Sequence, residues 1–240
     1  MLWYKAWHES KSRFFYTLIG MVLVCGMFIL SYGSWHVDPA RMNFRGFVWN
    51  ALYFRFFHAA WVFSTLFLAL GGRRAEQQEG TVLFTVSLPA RRWRILLARA
   101  AVCAGEAIVT AIVPAMSISA YSLLIGRSYP VSQSVEFALL LTAGGIVFFS
   151  FGILLSAFLG GGWVPIAIGV PTIAGIYTGS RSIEAFRAYN PQDLFSGAAT
   201  VQAPAWALGS PLPWSAMGAS VTVALVLLLV SIVITERLDF

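Results

Sequence analysis

Residues 135–159, VEFALLLTAGGIVFFSFGILLSAFL, form an apolar run that contains a single charged residue, Glu136. A helix of about 20 apolar residues is long enough to cross the hydrocarbon core of a bilayer. The whole chain has the same character, because 58% of its 240 residues are hydrophobic and 11% are charged. A soluble domain usually carries about 25% charged residues. The composition therefore predicts a protein whose solvent is a lipid bilayer.

Six apolar windows are long enough to span a membrane, and together they occupy more than half of the chain. They lie near residues 14–32, 48–70, 95–125, 135–159, 163–180 and 214–234. The first window is not a removable signal peptide, because an aromatic, charged segment precedes it and no small-residue cleavage pattern follows it. The windows predict an all-α, polytopic membrane protein with six transmembrane helices, folded as a single transmembrane domain over residues 1–240.

The basic residues are distributed according to the loops of this topology. With the N-terminus inside, ten of them fall on the inner side: Lys5, Lys11, Arg13, Arg73, Arg74, Arg91, Arg92, Arg94, Arg99 and Arg237. Five fall on the outer side, namely Arg41, Arg45, Arg127, Arg181 and Arg187. Cytoplasmic loops carry an excess of Lys and Arg. The pattern predicts a multi-pass protein of the bacterial inner (cytoplasmic) membrane with both termini cytoplasmic, and it accounts for the net charge of +6 without a nucleic-acid partner.

The N-terminal residues 1–13 combine aromatic and basic side chains. Trp3 and Trp7 stand beside Lys5 and Lys11 at helical spacing. This composition is typical of a helix that lies in the membrane interface. We therefore predict an N-terminal interfacial elbow helix, with an ordinary aromatic belt at the start of the first span as the alternative.

The outer segment between the fifth and sixth windows is rich in aromatic residues and prolines. Asn190, Pro191 and Asp193 fit the cap, the first position and the third position of a short helix. We predict one or two short re-entrant helices before the sixth span. A plain structured loop is the alternative.

A stripe of small residues runs along the fourth window. Its members, Gly152, Ser156 and Gly160, recur every four residues. Small side chains at this spacing let a second helix approach closely. The stripe predicts a packing face and no chemistry.

The chain lacks the residue patterns of common enzyme sites. A phosphate-loop ATPase needs a lysine at the end of a glycine-rich turn, but the two lysines, Lys5 and Lys11, follow Tyr4 and Ser10. The three histidines are scattered, whereas a zinc hydrolase needs clustered ligands. No Gly-x-Ser-x-Gly elbow for a serine nucleophile occurs. We therefore predict a protein that is not an enzyme, with no catalytic, cofactor-binding or metal-binding residues of its own.

Three ionisable side chains lie inside the predicted spans: Arg55 and His58 in the second, and Glu106 in the third. At about 1.5 Å per residue, His58 lies about 18 Å from Leu70 and Glu106 about 16 Å from Ile95, so their depths are comparable. Arg55 and His58 share a helix face, and an intramembrane charge normally has a partner. We predict that Glu106 pairs with His58 or Arg55 across adjacent helices. Such a pair either locks two helices together or serves a proton or substrate pathway.

The segment 75–94, AEQQEGTVLFTVSLPARRWR, is a polar interruption between the second and third spans. Thr81 is an acceptable N-cap residue, and Pro89 disfavours helix at the residue before it. The residues between them also suit a strand, but a lone strand at a membrane surface would leave its backbone groups unpaired. We therefore predict a short helix that presents apolar residues to a partner.

From Glu79 onward, the sequence resembles that of permeases of the type-2 ABC exporter family. In that family a Glu-Gly-Thr run, a short apolar helix, a Leu-Pro pair, a basic stretch and the start of the third span follow in this order. The matching positions are Glu79, Gly80, Thr81, Leu88, Pro89, Arg91, Arg92 and Arg99. The layout of spans and loops extends the resemblance over essentially the whole chain, which would then be a single permease domain.

The resemblance implies that the loop after the second span carries a coupling helix, which docks in a groove of a separate cytoplasmic ATPase. The docked residues would be Gly80, Thr81, Val82, Leu83, Phe84, Val86, Leu88 and Pro89. The residues available for contacts at the rim would be Glu76, Glu79, Arg91 and Arg92. The alternative is an ordinary charged inner loop that follows the positive-inside bias.

The resemblance also implies a function, namely the transmembrane subunit of an ATP-driven exporter of a hydrophobic or amphipathic substrate. Its partners would be a cytoplasmic ABC ATPase subunit, which binds ATP and Mg, and a second permease copy, either identical or related. A haem-exporter-like subunit of cytochrome maturation has a similar size and layout and is an alternative. A membrane assembly protein without a transport cycle is an alternative from a different class.

Overall fold

The first helix, α1, runs from Leu2 to Leu30 in the computed structural model. The structure describes residues 2–34, 43–71, 91–159, 162–182, 190–198, 200–209 and 211–237. The predicted boundary between an interfacial helix and the first span at residue 13 is absent, because α1 is one continuous helix. No glycine or proline precedes Gly20, so nothing in the sequence interrupts the helical hydrogen bonds. Trp3 and Tyr4 remain exposed at its start, 60% and 72% respectively.

The second predicted span contains an unusual helical geometry. It begins with α2, Phe44–Phe47, continues as a π-helix over Val48–Phe56 and ends as α3, Phe57–Ala69. The start is four residues earlier than predicted, because the side chain of Asn43 caps α2 by accepting a hydrogen bond from the Gly46 amide at 2.8 Å. π-helices are rare and are usually limited to one turn.

The other long helices follow the predicted windows closely. They are α4, Arg92–Leu124; α5, Val131–Leu159; α6, Val164–Ser182; and, after the outer segment, α8, Trp214–Arg237. Within the described residues, five helices are long and apolar enough to cross a membrane, which is the property of a multi-pass membrane protein. The fifth predicted span corresponds to α6, whose apolar part, Val164–Ser180, is shorter than the others.

The outer segment before α8 contains one predicted element and one that was not predicted. The short helix α7 is Pro191–Phe195, so it starts at the proline predicted for its first position. The hairpin of β1, Val201–Gln202, and β2, Ala207–Leu208, follows it. Each strand has only two residues, so the predicted helical fold class is confirmed. The fully buried ring of Phe195 packs against Phe148 of α5 at 5.6 Å between ring centroids.

Contacts between helices show the direction of each one. Ser10 of α1 lies against Glu106 of α4, and Gly26 lies against Tyr121 farther along both helices. These two helices therefore run in parallel. The sulfur of Met21 accepts a hydrogen bond from Ser64 of α3 at 3.7 Å, and Arg13, earlier on α1, reaches Leu70, later in the chain than Ser64. The helix α3 therefore runs in the opposite direction. The starts of α1 and α4 and the end of α3 consequently lie at the same end of the bundle.

Small residues permit close packing between α3 and α5. A Cβ atom on Gly152 would lie 2.8 Å from the Cβ of Ala69, and Ser156 donates to the carbonyl of Ala69 at 3.0 Å. The predicted small-residue face is therefore confirmed at these two positions, while Gly160 lies outside the described residues. Nearer the start of α5, Gly145 packs directly against the indole of Trp61, which is fully buried.

Candidate functional site

Side chains from three helices bind the backbone carbonyls at the end of α3. Arg13 of α1 donates to the carbonyl of Phe67 at 3.2 Å and to that of Leu70, and Arg99 of α4 also donates to Leu70. Ser156 of α5 binds the intervening carbonyl of Ala69. We call Arg13, Arg99 and Ser156, together with the carbonyls of residues 67, 69 and 70, the α3 clamp.

The α3 clamp satisfies the backbone carbonyls that the end of a helix leaves unpaired. The last carbonyls of an α-helix have no partner within the helix, and the helix dipole places partial negative charge there. Cationic side chains satisfy both requirements. Gly71 follows with a φ of 107°, a conformation that glycine adopts readily. A Cβ atom at this position would also collide with the guanidinium of Arg99, so the turn that leaves α3 requires glycine.

Loss of one contact in the α3 clamp should have a small and measurable cost. We expect Ser156→Ala to lower the free energy of unfolding by about 1 kcal/mol, because the buried carbonyl of Ala69 loses its side-chain donor. Thermal unfolding in lipid nanodiscs measures this. Thr222→Ala is the matched control, since Thr222 is exposed and its hydroxyl donates within its own helix, to the carbonyl of Gly218 at 2.8 Å. Equal melting temperatures for the two variants would argue against a stabilising contact at Ser156.

Glu106 lies next to the α3 clamp and binds a different partner from the one predicted. It is 4% exposed, and its Oε1 atom accepts a hydrogen bond from Ser10, which is 1% exposed. Its Oε2 atom is buried and accepts no hydrogen bond from the described residues. The nearby charges are Arg13 and Arg99. The predicted pairing of Glu106 with His58 or Arg55 is therefore wrong.

The error came from comparing depth alone. Similar distances of Glu106 and His58 from the helix ends do not show which helices face them. Glu106 faces Ser10 of α1. The ring of His58 instead lies against aromatic side chains of α6 and α7.

His58 and Arg55 occupy two different environments. The ring of His58 lies between Tyr177 of α6, at 4.9 Å, and Phe195 of α7, at 5.4 Å between centroids. Arg55 belongs to the π-helix and is exposed. The structure therefore does not bring the three intramembrane candidates together, and His58 contributes to aromatic packing near the outer segment.

Most of the predicted coupling segment falls outside the part of the chain that the structure describes. This applies to Glu76, Glu79, Gly80, Thr81, Val82, Leu83, Phe84, Val86, Leu88 and Pro89. Arg91 is exposed and directly precedes α4, and Arg92 is the first residue of that helix. The structure therefore positions Gly71 and Arg91, the two residues that flank this part of the chain.

Sequence reasoning counted Arg13 only as a topology signal, counted Arg99 as a topology signal and as one position of the family resemblance, and gave Ser10 no role. One signal could have found them. Ser10 and Arg13 are three residues apart on α1, and Arg99 and Glu106 are seven apart on α4, so each pair shares one helix face. Polar residues that share a face of an apolar helix indicate a buried polar contact.

The described residues contain no group of three or more His, Cys, Asp or Glu side chains that could hold a metal ion. The chemistry at the α3 clamp is that of two guanidinium groups, one serine hydroxyl and helix-end carbonyls, with the carboxylate of Glu106 beside them. No protein-family model, curated protein or solved structure matches this chain.

Proposed function

We propose that this chain is the transmembrane subunit of an ATP-driven exporter of the type-2 ABC family. A separate cytoplasmic ATPase, which binds ATP and Mg, would supply the energy at residues 75–94. The substrate would be hydrophobic or amphipathic, and the protein would lie in a bacterial inner membrane with both termini cytoplasmic. The observation that carries this proposal is the α3 clamp, which joins four helices, α1, α3, α4 and α5, beside the segment that resembles a coupling helix.

The α3 clamp supports the proposal through its position on both sides of that segment. Residues 72–90 connect Gly71, which follows α3, with Arg91, which directly precedes α4 and lies about two turns before Arg99. Arg99 binds the carbonyl of Leu70 and so ties the two ends together, while Arg13 ties them to α1. A force on residues 72–90 would therefore act on α1, α3 and α4 as one unit, which is the requirement for transmitting a domain movement.

The outward face of α8 is consistent with the proposed partners. Leu225, Leu229 and Val233 are exposed in the single chain. In a bilayer such a face contacts lipid tails or a second helix, because neither requires polar groups. This supports a lipid environment and is compatible with a second permease copy.

The proposal requires a physical complex with an ATPase. Purification of the tagged chain from its native membrane under mild conditions should recover a protein with the phosphate-loop motif. Recovery of the intact chain without any such protein would favour a membrane assembly protein instead.

A second experiment tests the segment itself. We expect Phe84→Asp together with Val86→Asp to lower substrate-stimulated ATP hydrolysis by the reconstituted complex about tenfold, because a charged face would not bury in an apolar groove. Gln78→Glu is the control, since it adds a negative charge to the same segment without changing an apolar residue. Unchanged hydrolysis in the Phe84 and Val86 variant, with normal membrane insertion, would exclude this segment as the coupling element.

A further inference from the structure

The charges beside the α3 clamp are distributed unevenly. Two guanidinium groups, those of Arg13 and Arg99, share the carbonyl oxygen of Leu70. The Oε2 atom of Glu106 is buried in the same region and accepts no hydrogen bond within the described residues. A guanidinium forms a stronger hydrogen bond with a carboxylate than with a neutral carbonyl. Two like charges therefore share one acceptor, while a carboxylate oxygen beside them accepts no hydrogen bond from the described residues. That oxygen is an alternative acceptor for one of the two guanidinium groups.

Arg13 is the side chain that can reach this second acceptor. Its Nη2 atom donates to the carbonyl of Glu9 at 3.1 Å, so its guanidinium lies at the level of residues 9 and 10 of α1. Ser10 binds the carboxylate of Glu106 at that same level. Arg99 is less suitable, because it lies two turns before Glu106 on α4 and helical side chains lean toward the N-terminus, away from Glu106.

We propose that Arg13 alternates between two acceptors, the carbonyls of Phe67 and Leu70 at the end of α3 and the free carboxylate oxygen of Glu106 on α4. In the first state, which the structure shows, α3 is tied to α1. In the second state the end of α3 keeps Arg99 and loses Arg13. Glu106 is then a positioning residue, because it acts on the end of α3 through Arg13.

This exchange gives the α3 clamp two discrete states, as a switching element requires. Arg13 can leave the carbonyls at low cost because an acceptor of opposite charge is already in place, whereas an arginine without one would leave a buried cation unpaired. The claim that movement of residues 72–90 drives this exchange rests on the proposed function. The claim that the two states exist in equilibrium within the isolated chain does not.

Hydrogen exchange of the full chain in lipid nanodiscs, measured by mass spectrometry without any ATPase, tests the equilibrium. We expect Glu106→Gln to slow amide exchange in the last turn of α3, residues 66–71, about threefold, since Arg13 loses its alternative acceptor and stays on the carbonyls. Arg13→Gln should accelerate exchange there. In the Arg13→Gln background, Glu106→Gln should have no further effect on this peptide.

The matched control is Glu136→Gln, a carboxylate-to-amide change at the opposite end of the bundle, which should leave residues 66–71 unchanged. The proposal is overturned if Glu106→Gln does not slow exchange at the end of α3, or if it does so equally in the absence of Arg13. Glu106→Asp is the second variant if Glu106→Gln fails to fold. Its shorter side chain withdraws the oxygen from Arg13, so it should slow the same exchange, and unchanged or faster exchange would count against the proposal. Because no ATPase is present, a negative result here would leave the proposed export function standing.

Discussion

Replacing Gly145 with leucine should separate α3 from α5 and lower the free energy of unfolding by about 3 kcal/mol or more. The position that a Cβ atom would take at residue 145 is already filled by the indole nitrogen of Trp61. Trp61 is 0% exposed, so its ring cannot move aside into solvent or lipid. Interiors are packed as densely as organic crystals, and relief would require a shift of the helix backbone.

Thermal unfolding in lipid nanodiscs measures this effect against a matched change. Gly175→Leu is the control, because a Cβ atom at Gly175 of α6 would meet no other atom within 4 Å. Adding Trp61→Ala to Gly145→Leu should restore part of the loss by exchanging a large residue for a small one across the interface. If the Gly145→Leu and Gly175→Leu proteins have the same melting temperature, α3 and α5 are not packed as described.

The second large effect should come from removing both cations of the α3 clamp. We expect Arg13→Gln combined with Arg99→Gln to lower the free energy of unfolding by about 3 kcal/mol, because hydrogen bonds to charged groups contribute about 1.5–3 kcal/mol each and both groups are partly exposed. Either single substitution should cost less than half as much. The remaining arginine still binds the carbonyl of Leu70, so the two effects are not additive.

Arg94→Gln provides the comparison for this double variant. Arg94 lies on the same helix as Arg99, is exposed and has its guanidinium 5.4 Å from the centre of the Trp93 ring. Arg94 has the same charge as Arg99 and lies at the same end of the bundle, but it is not one of the side chains that bind the carbonyls of α3. If the double variant is no less stable than Arg94→Gln in thermal unfolding, the arginines do not hold the end of α3.

The parts of the fold that could be predicted are those that depend on local composition. Long apolar runs define helices such as α5, and the small residues Gly152 and Ser156 define where a neighbour comes close. Pro191 marked the start of α7 because its fixed φ angle suits the first position of a helix. These signals lie within a few residues of the feature that they predict.

The parts that could not be predicted depend on contacts between distant residues or on subtle backbone geometry. The partner of Glu106 is Ser10, 96 residues away in the sequence, and only the relative height of α1 and α4 decides that pairing. The π-helix over Val48–Phe56 has no composition that distinguishes it from an α-helix. The continuity of α1 through residue 13 was missed because aromatic and basic residues at a membrane boundary suit both an interfacial helix and the start of a span.

The bond between Arg99 and the carbonyl of Leu70 also closes residues 70–99 into a ring. The entropic cost of closing a loop rises slowly with its length, by about 0.6 kcal/mol for each doubling. Insertions or deletions within residues 72–90 would therefore leave the attachment of both ends to the bundle nearly unchanged. The length of this connection is consequently free to vary without loosening the two helices that Arg99 and Leu70 join.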